Sequence, residues 1–312
     1  MSRRALLLHP GPVPPDALRD ALERHLPELE VRVWPDHGDG ADVVYALVSR
    51  IPPGELARCP ALKLVGSLHA GVDHLLRDPA LPASLFLTRP VPEGGDALMS
   101  EYLLAQALQL NRDMPVYARA QRQAEWLRLP LRPAAKCTVG FLGYGAMAAP
   151  AAALLARVGF DVAAWARTPR ADAPLPLFHA AAGLDELLAR TRILVNLLPL
   201  TPMTENIIDA RLLGRLPAGA CLINVGRGEH VVDQDLLAAL DAGHLQAAVL
   251  DVFRQEPLPP DSPFWRHPKI VVTPHACRRV DVEQVVAQFA AAVRAAEGGE
   301  VPANRVDRSV GY

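Results

Sequence analysis

The chain has 312 residues, half of them apolar and 21% charged, the composition of an ordinary globular protein long enough for two domains. With 34 acidic against 32 basic residues the net charge is −2, which leaves no basic surface of the kind a nucleic-acid binder needs. The basic residues are strongly skewed, to 29 Arg against three Lys (Lys63, Lys136 and Lys269).

Four cysteines (Cys59, Cys137, Cys221, Cys277) stand singly. Without a C-x-x-C pair they argue against a cysteine zinc site and a disulfide framework, and suit a reducing cytoplasm. The start Ser2-Arg3-Arg4-Ala5-Leu6-Leu7-Leu8 imitates a twin-arginine signal, but the apolar run stops at His9-Pro10. That is too short for a signal core and reads as a strand.

In chain order, Ala5–Leu8, Val31–Trp34, Val43–Val48, Leu62–Ser67 and Leu85–Thr88 are short β-branched or apolar runs bounded by turn residues, each read as a strand. Between the first two, Asp16 is placed to cap a helix carrying Leu18, Leu22 and Leu26 on one face. A longer helix is expected over Glu101–Asn111. The uncharged run from Cys137 to Arg157 has the length of a membrane span, but Gly140, Gly143, Gly145 and Pro150 interrupt it; it reads as strand, turn and helix. From there Thr138–Leu142, Val162–Trp165, Ile193–Leu197, Cys221–Val225, Ala247–Leu250 and Ile270–Thr273 are near-continuous apolar strands, several separated by helical patterns. Such strands are buried on both faces, as in a doubly wound parallel sheet. The tail from Asp281 reads as an amphipathic helix followed by an irregular end.

Gly143-Tyr144-Gly145-Ala146-Met147-Ala148 matches G-x-G-x-x-G/A between a strand and a helix. The first glycine permits the tight turn, the second lets the backbone approach a pyrophosphate, and the helix N-terminus favours the anion. The alternative is an ordinary strand-to-helix turn. An NAD site would end its second strand in a carboxylate for the ribose 2′-hydroxyl. Here that strand ends Ala166-Arg167-Thr168-Pro169-Arg170, and Asp161 lies at its start. Arg167 and Arg170 suit a 2′-phosphate, with Thr168 adding a hydroxyl. The expectation is NADP(H) in preference to NAD(H), against the alternative that these are two more solvated arginines.

Three later strands run into Arg227, Asp251 and His275, with Glu256 between the last two. Ligands of open α/β sheets bind beyond the carboxyl ends of strands. Reduction of a 2-keto acid needs a cation for the carboxylate, polarisation of the keto oxygen and a proton donor, roles that fit an arginine and a carboxylate-held histidine.

The phosphate turn, Asn224-Val225-Gly226-Arg227-Gly228, Leu250-Asp251-Val252-Phe253 through Glu256-Pro257-Leu258-Pro259, and Thr273-Pro274-His275 occur in this order. Together they resemble the D-isomer specific 2-hydroxyacid dehydrogenases, and the ending Val306–Tyr312 looks most like the glyoxylate/hydroxypyruvate reductase A branch. The resemblance implies a Rossmann dinucleotide domain (residues 99–283) inserted in a smaller, flavodoxin-like α/β substrate domain (residues 1–98 and 284–312), with hinge closure excluding water. It implies that Arg227 binds the carboxylate and keto oxygen, that His275 donates the proton, and that Glu256 orients His275 and raises its pKa. Asp251 would hold the nicotinamide carboxamide. Pro199, Thr204, Val225 and Gly226 would line the dinucleotide, and the N–H groups of Ala70 and Gly71 would take the carboxylate. No metal is expected, and a homodimer through the nucleotide domain is.

Two departures bear on the substrate: Ser49-Arg50, where this branch often carries a tryptophan, and the bulky, cationic Cys277-Arg278-Arg279 after His275. They leave the natural substrate open, with room for one more polar or more acidic than glyoxylate. An NAD-linked dehydrogenase of a larger hydroxy acid and a non-catalytic dinucleotide sensor remain the alternatives.

Overall fold

The structure is a computed structural model that describes residues 4–92, 94–170 and 172–312. Ser2 and Arg3 of the signal-like start lie outside the described residues. The chain divides into two compact units, Met1–Pro92 with Val280–Tyr312, and Glu93–Arg279.

The first unit contains strands β1 (Ala5–His9), β2 (Glu30–Val33), β3 (Val43–Val48), β4 (Leu64–Ser67) and β5 (Phe86–Thr88), with helices α1 (Pro15–His25) and α2 (Asp73–Leu76). All pairings are parallel, in the order β2-β1-β3-β4-β5, the strand order of flavodoxin-like sheets. Helix α1 is not capped by Asp16: Pro14 holds the cap position, Pro15 opens the helix, and Asp16 sits in the first turn. Proline serves there because its missing N–H would have no helical partner and its φ is already helical.

The second unit opens with α3 (Ala97–Asn111) and α4 (Met114–Arg122). Helix α3 begins four residues before the expected Glu101, because the Asp96 carboxylate accepts from Met99 N–H at 2.9 Å and caps it there. There follow β6 (Thr138–Leu142), α5 (Ala148–Val158), β7 (Asp161–Trp165), β8 (Leu177–Phe178), α6 (Ala180–Arg190), β9 (Ile193–Asn196), α7 (Ala210–Leu213), β10 (Ala220–Asn224), α8 (Asp233–Asp241), β11 (Leu245–Leu250) and β12 (Ile270–Val272). The sheet is wholly parallel in the order β12-β11-β10-β9-β6-β7-β8. Its strand order reverses between β6 and β9, the Rossmann switch point where a crevice opens beyond the strand ends. Central strands β9 and β10 are buried at every residue. One core packs Phe141, Val195 and Ile223 beneath α3 and α5; the other packs Leu142, Leu194 and Leu222 against Leu187, Leu213 and Leu236.

Helix α9 (Val282–Glu297) returns to the first unit. Asp281 caps it through Gln284 N–H at 3.0 Å, and Val285, Val286, Phe289 and Val293 join the core of β1, β3 and β4. A Cβ on Gly66 of β4 would stand 2.3 Å from the Phe289 ring, so only glycine lets the helix lie so close. The unit boundaries fall at 92/93 and 279/280 rather than 98/99 and 283/284. Asp96 belongs with the helix it caps, and Val280 and Val282 pack into the first unit's core. Among the described residues no helix is long and apolar enough to cross a membrane; the uncharged run is β6, its turn and α5.

Candidate active site

Strand β6 delivers the chain to Gly143, which takes φ +93°; a Cβ there would press 3.0 Å onto the Leu197 carbonyl just past β9. The position therefore needs glycine both for its left-handed backbone and for the close approach. Nothing stands within 4 Å of a Cβ on Gly145, which leaves room for a ligand against the backbone. Among the described residues, the N–H groups of Gly145, Ala146 and Met147 donate to no backbone oxygen, while Ala148 and Ala149 N–H return to the Gly145 carbonyl. With no acidic residue in the first turn of α5, these donors and the helix dipole suit a pyrophosphate.

Arg167, Thr168 and Arg170 are exposed just beyond β7. Arg170 lies close enough to the turn for its charge to act on the Tyr144 hydroxyl, countering the upward push of burial on that phenol's pKa. Asp161, at the opposite end of β7, is taken up by Thr138 at 2.7 Å and Arg190 at 2.8 Å. The strand end thus offers cations and a hydroxyl but no carboxylate. These residues fit a phosphorylated dinucleotide.

Beyond β10, Val225 and Gly226 lead to half-buried Arg227, which precedes a single helical turn, Gly228–His230. The turn packs against the loop after β11 so tightly that a Cβ on Gly228 would fall 1.9 Å from the Phe253 carbonyl carbon. The Arg227 guanidinium donates through Nη1 to the Gly226 carbonyl at 2.9 Å.

Beyond β12, His275 adopts a left-handed backbone with φ +50°. The Asp251 carboxylate, wholly buried at the end of β11, holds this loop. Oδ1 accepts from Thr273 Oγ1 at 2.6 Å and Ala276 N–H at 2.8 Å, and Oδ2 from Cys277 N–H at 3.1 Å. His275 N–H donates to the Asp251 carbonyl at 2.8 Å. The ring is 40% exposed, and its Nδ1 pairs with Glu256 Oε2 at 2.9 Å. Glu256 is in turn oriented by Phe253 N–H on Oε1 at 3.0 Å. Pairing of Nδ1 with the carboxylate leaves Nε2 as the ring nitrogen able to exchange a proton.

The strand order, glycine turn and Arg, Glu and His at neighbouring strand ends coincide with what comparison finds. Residues 104–277 match the model for the D-isomer specific 2-hydroxyacid dehydrogenase NAD-binding domain. The chain belongs to this family. Over 296 residues, 93% of this chain and 94% of the relative, it is 40% identical to glyoxylate/hydroxypyruvate reductase A of Serratia proteamaculans. Among solved structures it is similar to a D-isomer specific 2-hydroxyacid dehydrogenase from Xanthobacter autotrophicus Py2, in complex with NADPH and MES, at TM-score 0.92 and 40% identity over all of both chains. It is also similar to an NADPH-dependent glyoxylate/hydroxypyruvate reductase from Sinorhizobium meliloti in complex with NADP and sulfate, at TM-score 0.90 and 36% identity over 99% of this chain and 100% of that one.

Within this dehydrogenase frame, two residues expected at the cofactor also support their own loops. The buried oxygens of Asp251 hold the histidine loop, and the Thr204 hydroxyl donates to the Pro199 carbonyl at 2.7 Å and accepts from Thr201 N–H at 2.9 Å. Arg278 does not offer its charge to an acidic substrate: Nε pairs with Asp96 Oδ2 at 2.8 Å and ties the histidine loop to the start of α3. Cys277 is buried, and Arg279 is exposed. In the first unit, considered by itself, Ala70 and Gly71 N–H donate to no backbone oxygen among the described residues. His69 beside them is held by Ser49 Oγ at 2.7 Å and by its own N–H on Ser67 Oγ at 3.0 Å. Ser49 therefore braces the expected substrate loop.

Several supporting residues escaped the sequence reading. Asn196, Asn224 and His230 are fully buried behind Arg227. The Tyr102 hydroxyl on α3 pairs with Thr273 Oγ1 at 2.7 Å, extending the Asp251 anchor, and burial drives its phenol pKa far up. The available signal was the two asparagines that end adjacent apolar strands. A polar side chain there must find partners inside the protein.

Proposed function

We propose that this dehydrogenase reduces small 2-keto acids with NADPH, turning glyoxylate into glycolate and hydroxypyruvate into D-glycerate. The observation that carries this reading is the His275–Glu256 pair at 2.9 Å beside Arg227, on the strand-end edge that also holds the phosphate turn. Arg227 presents a fixed fork of donors to the carboxylate and keto oxygen. Held at the glycine turn and the cationic end of β7, NADPH would supply the hydride for the keto carbon. His275 delivers a proton from Nε2 to the keto oxygen, and Glu256 holds the ring while its charge changes. In the first unit, considered by itself, Ala70 and Gly71 N–H are the donors proposed for a carboxylate. The cationic end of β7 supports NADPH over NADH, as do the NADPH bound in the Xanthobacter structure and the NADP bound in the Sinorhizobium structure.

Loss of NADPH absorbance with glyoxylate, hydroxypyruvate and longer keto acids tests the reaction. Tight NADPH binding without turnover of any of them favours a dinucleotide sensor instead. Arg167→Ala is expected to cut the NADPH-over-NADH preference about tenfold, the scale of one charge-assisted contact; an unchanged ratio removes Arg167 from the cofactor site.

A homodimer through the second unit is part of the proposal. Leu98, Leu108, Met114, Trp126 and Leu131 are large apolar side chains exposed on one stretch of that unit, a pattern that marks association surfaces. Sedimentation equilibrium at the monomer mass would remove it. Four free, buried cysteines support a cytoplasmic location.

A further inference from the structure

Behind Arg227 lies a polar cluster with no exposure to solvent: Asn196 at the end of β9, Asn224 at the end of β10, and His230. The two asparagines are register partners across the parallel ladder. Asn196 Nδ2 donates to Asn224 Oδ1 at 2.9 Å and to His230 Nδ1 at 2.8 Å. Arg227 is gripped by its own backbone: its N–H donates to His230 Nδ1 at 3.1 Å, and its carbonyl accepts from Asn224 Nδ2 at 3.0 Å. Two donors converge on His230 Nδ1, so that nitrogen is an acceptor and the ring proton sits on Nε2. Nε2 accordingly donates to the Pro199 carbonyl at 3.3 Å, the same oxygen that receives the Thr204 hydroxyl.

A side chain that only filled space here would be apolar, since buried polar groups cost free energy unless every partner is present. The ring instead joins two loops through its two nitrogens. One loop carries Arg227, and the other, Pro199 to Thr204, follows β9, where the Leu197 carbonyl lies against Gly143 of the glycine turn. Gly226 completes the arrangement, because a Cβ there would stand 3.0 Å from His230 Nδ1 and 2.9 Å from Asn196 Nδ2.

We propose that His230 is a positioning residue that couples the nucleotide-side loop to Arg227, with Nδ1 fixing the arginine and Nε2 fixing the Pro199 carbonyl. The inference rests on the reading of Arg227 as the carboxylate-binding residue. The two nitrogens can be removed separately. In His230→Asn, Oδ1 occupies the place of Nδ1 and the Pro199 link is lost. In His230→Gln, the amide nitrogen reaches the place of Nε2 and the acceptor for Arg227 N–H is lost.

Steady-state kinetics with glyoxylate at saturating NADPH, NADPH titration by fluorescence and a thermal melt are run on both variants. His230→Gln is expected to raise KM for glyoxylate about tenfold, the cost of orphaning buried donors, with NADPH Kd near that of the parent. His230→Asn is expected to raise NADPH Kd about fivefold, with KM for glyoxylate much less affected. Equal changes in both constants, or a lower melting temperature with neither constant moved, would overturn the coupling and leave His230 a packing residue. Absence of turnover in the parent enzyme would defeat the proposed reaction alone. NADPH titration of the two variants would still decide the coupling: a Kd raised in His230→Asn and not in His230→Gln supports it, and equal Kd values overturn it.

Discussion

The two side chains proposed to do the chemistry are held in different ways. The backbone of Arg227 is held by neutral groups, the Asn224 amide on its carbonyl and the His230 ring on its N–H, with Asn196 behind them, all three fully buried. His275 is backed by carboxylates, with Asp251 under its loop and Glu256 on its ring, and remains 40% exposed. A guanidinium keeps its charge through the reaction, so its support has only to fix geometry, which a closed network of neutral hydrogen bonds does. An imidazole that gains and loses a proton each turnover needs a counter-charge and solvent access. Its loop also takes up a left-handed residue at His275, a conformation costing about 1–2 kcal/mol. The three donors on Asp251 offset that cost.

The sharpest way to test this division is His275→Gln. Removing the proton donor is expected to lower kcat by about 10²–10⁴-fold while NADPH Kd and the melting temperature stay near parental values. A kcat profile across pH 6–8 close to that of the parent would transfer the proton donor's role elsewhere. Gly228→Ala attacks both supports at once. Its Cβ would meet the Phe253 carbonyl carbon at 1.9 Å and Arg254 N at 2.2 Å, backbone atoms that have no rotamer to escape into. Overpacking of this kind costs about 1–3 kcal/mol. A calorimetric scan should show Tm several degrees lower, and kinetics should show KM raised and kcat reduced together. A change in KM alone would mean that the arginine turn moves independently of the histidine side.

Much of this arrangement was legible in the residues. Strand runs such as Val43–Val48 and Thr138–Leu142 matched their observed bounds, because strands buried on both faces carry an unbroken apolar signal. The glycine turn and the Arg, Glu and His at strand ends were legible because special backbone and charged groups stand out beside apolar runs. Helix starts were less legible: Asp16 and Asp96 are both plausible caps, and only Asp96 takes the cap position, since Pro15 forces the other start. The short edge strand Leu177–Phe178, with two residues, has too little periodicity to register. The network behind Arg227 was hidden for a different reason. Asn196, Asn224 and His230 are separated by 28 and 34 residues along the chain, and only the parallel register brings them together.

Arg278 gives the smallest and most discriminating change. Its charge beside His275 suggested selection of an acidic substrate, yet its guanidinium is spent on Asp96, with the two side chains only 17% and 11% exposed. In Arg278→Ala, Asp96 keeps its capping bond to Met99 N–H and the start of α3 survives, so the loss is confined to one tether of the histidine loop. A partly buried pair of this kind is worth about 1 kcal/mol, a fall in Tm of about 2–4 °C for a unit of this size. The ratio of kcat/KM for glyoxylate to that for a dicarboxylic keto acid should stay within about twofold, below the tenfold that 1.4 kcal/mol of lost recognition would produce. A selective loss of the dicarboxylic substrate would put Arg278 on the substrate after all. The histidine side would then select as well as protonate, and the division of labour with Arg227 would fail.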